Sequence, residues 1–257
     1  MSGAFEIAGV GLSAQQKALD TIANNIANVN TRSFKRSEVR FSEVMARAID
    51  GVPLTADLGA STESVAGVSA TPVLLLDEPG QLEPTGRSLD LAIDGAGFIE
   101  LMGPAGQTFL WRGGTMDIGP DGFLSASNGM TLKDLISVPV ESESILIGAD
   151  GRVFSVSTSD PAGVEIGQIS LVRPMAMSGL ERFDGGLYRV TGQADTVVGV
   201  AGEDGNGRLV QGSIERSNVD LNNEMVQLMI VQRAYAANSK VVQAADEVAG
   251  IINGMRR

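Results

Sequence analysis

The segment LSAQQKALDTIANNIANVN, residues 12–30, decides the fold, because its aliphatic residues recur at the spacing of a helix. Steps of seven, three, four and three positions place them on one side of a helix predicted over residues 5–30. Asparagine has low helix propensity, so the asparagines near residue 30 indicate where this helix stops. The stripe predicted on the helix consists of Leu12, Leu19, Ile22, Ile26 and Val29.

A second helix is predicted over residues 219–255. Asp220 is placed to cap its start, and neither Gly nor Pro follows until Gly250. A helix of about 25 residues has little stability without packing, and the apolar face here is broad. The two terminal helices are therefore expected to pair as a coiled coil, and then to pack against neighbouring copies. The second predicted stripe consists of Leu221, Met225, Leu228, Tyr235 and Val242.

Between the helices the apolar period changes to two. Runs such as residues 89–93, 98–101 and 144–147 predict strands, and repeated Asp-Gly pairs predict turns. Residues 42–71 have no clear period and predict an extended connector. The predicted fold class is therefore α+β: an N-terminal helical core segment (1–41), the connector (42–71), a central all-β domain (72–210) and a C-terminal helical core segment (211–257).

The composition excludes several common mechanisms of enzyme catalysis. The 257 residues include no histidine and no cysteine, which removes Ser-His-Asp and Cys-His catalysis, His- or Cys-ligated metals and disulfides. Glu141 and Glu143 could supply the two carboxylates of a glycosidase, but 31 acidic residues make such pairs common by chance. No dinucleotide, Walker or nucleophile-elbow motif occurs. We predict no catalytic residue, no cofactor and no metal, and hence a protein that is not an enzyme.

The net charge of −12 argues against binding to nucleic acid or to an anionic membrane surface. The longest aliphatic run, residues 73–76, is far shorter than the roughly 20 residues of a membrane span. Residues 1–6 lack the basic and apolar regions of a signal peptide, so any export is expected to proceed without a cleaved signal.

Five polar residues interrupt or flank the apolar stripes of the helices. Their side chains could hydrogen-bond to a neighbouring chain and set the register of packing. The asparagines could equally be a frayed helix end, and the other two could be solvated. The sequence leaves both interpretations open for Asn24, Asn25, Asn28, Gln232 and Arg233.

Three blocks of the chain resemble the bacterial flagellar rod and hook family. They are GLSAQQ and LDTIANNIANVNT at residues 11–16 and 19–31, LDLAIDGAGF at 89–98, and GSIERSNVD at 212–220 with similar residues at 224–226 and 232–235. One position departs from the family pattern. A Gly usually precedes Phe-Lys, whereas Ser33 precedes Phe34 here, and the positive φ that Gly permits would cost Ser some free energy.

The resemblance implies export through the flagellar type III apparatus and helical polymerisation into a hollow shaft that crosses the periplasm. In such shafts the terminal helices form the inner core and the β domain the outer layer. The length favours a rod over a hook subunit. The segment at 145–151 and the motif around Tyr235 are more similar to a distal than to a proximal rod subunit.

The partners implied are other copies of the chain, neighbouring rod proteins, hook or hook-junction subunits, the surrounding P- and L-ring proteins and the export apparatus. Nucleic acid and membrane insertion are not expected. A periplasmic carbohydrate-binding or hydrolytic β domain is the alternative from another class.

Overall fold

The structure, a computed structural model, divides the chain into two compact units. A helical unit comprises residues 1–27, 37–73 and 220–257, and a β unit comprises residues 28–36 and 74–219. The described residues are 2–45, 66–76, 78–103, 106–158, 160–175, 180–183, 186–190 and 196–255.

The helical unit contains both predicted helices and a two-stranded sheet. Helix α1 spans Ser2–Ala27, strands β1 and β2 span Ser37–Met45 and Ala66–Leu74, and helix α2 spans Leu221–Met255. Residues 42–45 and 66–71 of the expected connector thus belong to paired strands, and residues 46–65 lie outside the described residues.

Helix α1 ends three residues earlier than predicted, and this corrects the position of Val29. After Ala27 the chain turns, and the backbone N–H of Thr31 donates to the carbonyl of Asn28 at 3.0 Å. The Thr31 hydroxyl also donates to the Asn28 side chain at 3.1 Å. Asparagine and threonine satisfy local backbone groups better in such turns than in a helix interior, so Val29 lies beyond the helix.

Helix α2 begins as predicted at an aspartate cap. The Asp220 carboxylate accepts the backbone N–H groups of Asn222 and Asn223 at 2.9 and 3.4 Å. These are the second and third helical residues, whose N–H groups have no partner within the helix.

The predicted β-rich centre is confirmed, and its strands form antiparallel pairs, most of them in one large sheet. In chain order they are β3 (Leu82–Pro84), β4 (Asp90–Asp94), β5 (Phe98–Met102), β6 (Thr108–Trp111), β7 (Gly113–Ile118), β8 (Leu124–Ala126), β9 (Thr131–Leu132), β10 (Ser144–Ile147), β11 (Arg152–Ser157), β12 (Asp160–Gln168), β13 (Leu171–Pro174), β14 (Leu180–Phe183), β15 (Leu187–Val190), β16 (Thr196–Gly199), β17 (Arg208–Gln211) and β18 (Ser213–Glu215).

The large sheet has the order β14-β15-β6-β5-β9-β8-β7-β4-β17, with β13 pairing to β5 and β16 to β13. Strands β10, β11 and β12 form a separate antiparallel sheet, and β18 pairs with β3. Both faces of the large sheet are covered. Ile99 and Trp111 pack into one core, and Phe98, Leu110 and Tyr188 pack into another on the opposite face.

A buried carboxylate neutralises two buried cations inside the β unit. Oε1 of Glu215 lies 2.6 Å from Nζ of Lys35, and Oε2 lies 3.3 Å from a guanidinium nitrogen of Arg112. All three side chains are almost fully shielded from solvent. Burial lowers the pKa of Lys35 and the charge of Arg112 lowers it further, while Glu215 opposes both effects. Glu215 is therefore the carboxylate that the two cations share.

Glycine at residue 80 is required by the backbone around this cluster. The N–H of Gly80 donates to Oε1 of Glu215 at 2.8 Å. A Cβ atom at this position would lie 1.9 Å from the carbonyl oxygen of Arg216, which is a backbone atom and cannot move aside cheaply. No side chain fits there.

Ser33 adopts a positive φ of +55°, the backbone conformation that the Gly usually found at this position would permit. Its hydroxyl donates to the carbonyl of Gly113 at 3.1 Å in a buried position. The hydrogen bond offsets part of the cost of a left-handed backbone, which is of order 1–3 kcal/mol for a residue other than glycine.

We expect Ser33→Gly to change the free energy of unfolding of the β unit by less than about 1 kcal/mol, because relief of backbone strain and loss of one hydrogen bond oppose each other. Ser33→Val should destabilise the unit by more, since a β-branched residue is disfavoured at positive φ. Urea unfolding monitored by Trp111 fluorescence measures both. A Ser33→Gly variant that is less stable than Ser33→Val would contradict this account.

The lowered pKa of the Asp90 carboxyl makes the stability of the β unit depend on pH. Burial alone would raise the pKa of this carboxyl, but hydrogen bonds from two threonines and from Arg87 outweigh burial and lower the pKa. A carboxyl whose pKa is lower in the folded state stabilises that state above its unfolded pKa of about 3.9, and this stability is lost as pH falls further.

Between pH 6 and pH 3 the native chain should therefore lose more stability than an Asp90→Asn variant, which has no proton to bind at residue 90. Urea midpoints measured at both pH values test this. Equal losses in the two proteins would show that Asp90 does not contribute.

Candidate assembly interface

The two helices contact each other along one face of each. Asn25 of α1 donates to Glu224 of α2 at 3.1 Å, and a Cβ atom at Gly11 would lie 3.4 Å from Nδ2 of Asn238. Moving 14 residues back along α1 corresponds to moving 14 residues forward along α2. The helices are therefore antiparallel.

On α1 the buried positions follow helical spacing, and two of the four carry alanine. Ala14, Ala18, Ile22 and Asn25 are buried, while Leu12, Leu19 and Ile26 are half-buried beside them. The predicted stripe thus lies beside the row of buried residues, and Ile22 is the one described residue that belongs to both. Alanine occupies the tightest positions because it lets two helix backbones approach closely.

On α2 the inward face follows steps of four and three residues. Glu224 is fully buried, and the half-buried positions of that face continue the same spacing, with Tyr235 at its margin. We name this face the seam. Its members are Glu224, Leu228, Val231, Tyr235, Asn238, Val242 and Ala245.

The structure corrects the phase predicted for the start of α2. Leu221 and Met225 were expected on the inward face, but both are exposed. Glu224 occupies the inward position next to Met225 because its carboxylate accepts the hydrogen bond from Asn25. The sequence stripe assumed that every inward residue is apolar, and so it missed Glu224 and Asn238. Accepting polar residues would have revealed the unbroken spacing of the seam.

Of the five polar residues left open by the sequence, Asn25 is the one with an inward role in the helical unit. Its side-chain N–H groups donate to the Ser37 carbonyl at 2.8 Å and to Glu224, and its oxygen accepts the Ser37 N–H at 3.0 Å. These bonds account for the polar groups of the amide. Asn24, Gln232 and Arg233 are exposed, and Asn28 is half-buried in the β unit.

Helix α2 carries a second apolar stripe on its outward side. Its residues are exposed and follow steps of four, seven, four, three, four, three and four residues. Val241 and Ile251 are 56% and 62% exposed. We name it the bare stripe, and its members are Val226, Ile230, Ala237, Val241, Ala244, Val248, Ile251 and Met255. Arg233 continues the same spacing after Ile230.

We expect Asn25→Asp to weaken the pairing of α1 with α2 by about 1–3 kcal/mol. The substitution keeps the shape of the side chain but removes its donors and places a second carboxylate beside Glu224. Gln232→Glu adds the same charge at an exposed position of α2 and should change stability by less than about 0.5 kcal/mol. The helical circular dichroism signal, followed through urea unfolding, measures both. Equal effects of the two substitutions would contradict an inward role for Asn25.

Two further findings concern the described residues. Neither of the two helices combines the length and the apolar character that a membrane span requires. No group of three or more acidic side chains in the described part of the chain is arranged to hold a metal ion.

Comparison with known sequence families gives matches in three segments. Residues 5–35 match "Flagella basal body rod protein", residues 92–155 match "Flagellar hook protein FlgE/F/G D1 domain", and residues 210–255 match "Flagellar basal body rod FlgEFG protein C-terminal".

Similar proteins extend over the whole chain. The flagellar basal-body rod protein FlgG of Borreliella burgdorferi is 34% identical and covers 100% of both chains. FlgG of Agrobacterium fabrum is 33% identical over 97% of this chain and 98% of its own. The rod protein FlgF of Salmonella typhimurium is 30% identical over 90% of this chain and 89% of its own. The chain therefore belongs to the family of flagellar basal-body rod proteins.

Proposed function

We propose that this chain is a structural subunit of the distal flagellar rod. Copies polymerise helically through their terminal helices into the hollow shaft that transmits torque from motor to hook. The bare stripe of α2 is the observation that carries this proposal, because it is an apolar surface, interrupted at Arg233, that α1 leaves uncovered.

The size of the bare stripe favours a partner. Six of its side chains are valine, isoleucine or methionine, each about half exposed or more. Fully burying such a side chain contributes about 1.5–3 kcal/mol, so covering the stripe would contribute on the order of 5 kcal/mol. Exposed apolar surfaces of this extent mark interaction sites in soluble proteins. A helix from a second copy has the shape and spacing to cover it as a coiled coil.

Arg233 indicates that a partner helix would bind the bare stripe at one axial offset. A guanidinium within an apolar stripe must meet an acceptor when the stripe is covered, since an unpaired buried cation is strongly destabilising. The chain carries 31 acidic residues against 19 basic ones, so a second copy offers many carboxylates. Pairing with one of them would fix the axial offset between copies.

The distal position rests on the comparisons. Rod proteins named FlgG align over 94–100% of this chain at 31–34% identity, whereas FlgF of Salmonella typhimurium aligns at 30% over 90%. A proximal paralogue of the same family is the second candidate. Location in the periplasmic part of the basal body, export by the type III apparatus and contacts with hook, hook-junction and ring proteins complete the proposal.

Ile230→Asp should abolish polymerisation while the β unit stays folded, because a carboxylate would be buried among apolar side chains when copies associate. Gln227→Asp places the same charge one helical turn earlier, at an exposed polar position, and should leave assembly intact. Motility of a strain that carries only the variant gene, and electron microscopy of its isolated basal bodies, give the two readouts.

Normal rods with Ile230→Asp would refute a role for the bare stripe in assembly. Loss of rods with both substitutions would show that added charge, rather than burial of the stripe, is the cause. Circular dichroism of the purified variants checks that the β unit is folded in each case.

A further inference from the structure

One flank of the bare stripe carries three charged residues at a regular interval. Arg233, Lys240 and Glu247 follow one another at steps of seven residues, and all three are exposed in the single chain. Each lies three residues after a member of the stripe, which makes it a neighbour of the stripe on the helix surface. A coiled coil keeps such a row against its partner helix, because supercoiling compensates the small drift of each heptad.

Helical polymerisation, on which this inference rests, makes neighbouring α2 helices parallel. A screw operation rotates and shifts each copy without reversing its direction along the axis. Two α2 helices that meet through their bare stripes therefore differ in their axial offset, which we name the stagger. A heptad row favours staggers that are multiples of seven residues.

The charged row distinguishes between these staggers. With no stagger, Arg233 meets Arg233 and Lys240 meets Lys240 of the next copy, and with a stagger of seven residues Arg233 meets Lys240. With a stagger of fourteen, Arg233 meets Glu247 of the next copy, while Lys240 lies level with the uncharged Gly254. Like charges that face each other disfavour an interface and opposite charges favour it, so fourteen residues is the best of the three.

The sizes of the apolar side chains favour the same stagger. At fourteen residues Ile230 lies level with Ala244, and Ala237 lies level with Ile251, so a large side chain faces a small one in both layers. With no stagger, Ile230 would face Ile230 and Ala237 would face Ala237. One layer would then be overfilled and the other would contain a void.

Glu247 is also the acidic residue of α2 that lies beside the bare stripe. Glu224 is buried in the seam. Asp246, one residue earlier, lies about 100° further round the helix and away from the stripe. On α1, the carboxylate of Asp20 already accepts a hydrogen bond from Gln16 at 3.1 Å.

We propose that Arg233 of one copy pairs with Glu247 of the next copy and thereby sets the stagger of the α2 helices at fourteen residues, about 21 Å at 1.5 Å per residue. The guanidinium can donate two hydrogen bonds to the carboxylate, which adds geometric specificity to the attraction. Burial of the apolar side chains supplies most of the binding free energy, and the ion pair selects the register.

Charge reversal tests the pair in a strain that carries only the variant gene. Arg233→Glu and Glu247→Arg each bring like charges together, so the number of complete rods per cell should fall at least about tenfold. The double variant restores an attractive pair and should recover rods to within about twofold of the native number. Asp246→Arg is the matched control, because it reverses an exposed charge away from the stripe and should leave rods unchanged.

Disulfide trapping measures the stagger itself, since the native chain contains no cysteine. Ile230→Cys with Ala244→Cys places thiols level with each other in neighbouring copies at a stagger of fourteen residues, whereas within one chain they are about 21 Å apart. Oxidised basal bodies should therefore give a ladder of linked chains on a non-reducing gel. Ile230→Cys with Ala237→Cys matches a stagger of seven residues and should give single chains.

Normal rods with either single reversal, or no recovery in the double variant, would overturn the pair. A ladder from the Ala237→Cys variant in place of the Ala244→Cys variant would overturn the stagger. Circular dichroism of each purified variant checks folding, and if a charge variant does not fold, the disulfide pairs decide. Rods that are lost with Ile230→Asp but normal with Arg233→Glu would refute this inference and leave the proposed function standing.

Discussion

The stability of the β unit depends on the carboxylate of Glu215, because two buried cations have it as their shared counter-charge. Removing one partner of a buried ion pair typically costs about 3–5 kcal/mol, a large share of the 5–15 kcal/mol by which a domain is stable. Lys35 lies just after the exit from α1 and Glu215 just before the start of α2. The same interaction that stabilises the fold therefore also joins the two chain segments that carry the helices.

The two faces of α2 have different roles. The seam is filled within the chain and includes buried Glu224 and half-buried Asn238, and the hydrogen bond between Asn25 and Glu224 makes one alignment of the helices better than its neighbours. The bare stripe is apolar apart from Arg233 and has no such bond within the chain's described residues. Polar groups thus fix the internal pairing, while apolar area remains for association, where many weak contacts can resist torque together.

Local sequence signals predicted the local structure well. The periodicity around Ile22 located α1, Asp220 marked the start of α2, and alternation predicted strands such as β5 and β10. The errors arose where distant residues decide: Lys35 meets Glu215 across 180 positions and Asn25 meets Glu224 across 199, and no local pattern encodes such pairs. The misplaced phase of Met225 and the role missed for Glu224 had a local cause instead, because the predicted stripe admitted only apolar residues.

Amide hydrogen exchange, compared between dilute chains and assembled polymer, tests most directly whether association is what covers α2. We expect residues 226–255 to exchange much more slowly in the polymer, while the strands around Leu91 and Ile214 are strongly protected in both states. The dilute chain should already protect the positions near Asn25 better than those near Ile251. Equal protection of residues 226–255 in the two states would contradict the account, because the bare stripe would then not be what assembly buries.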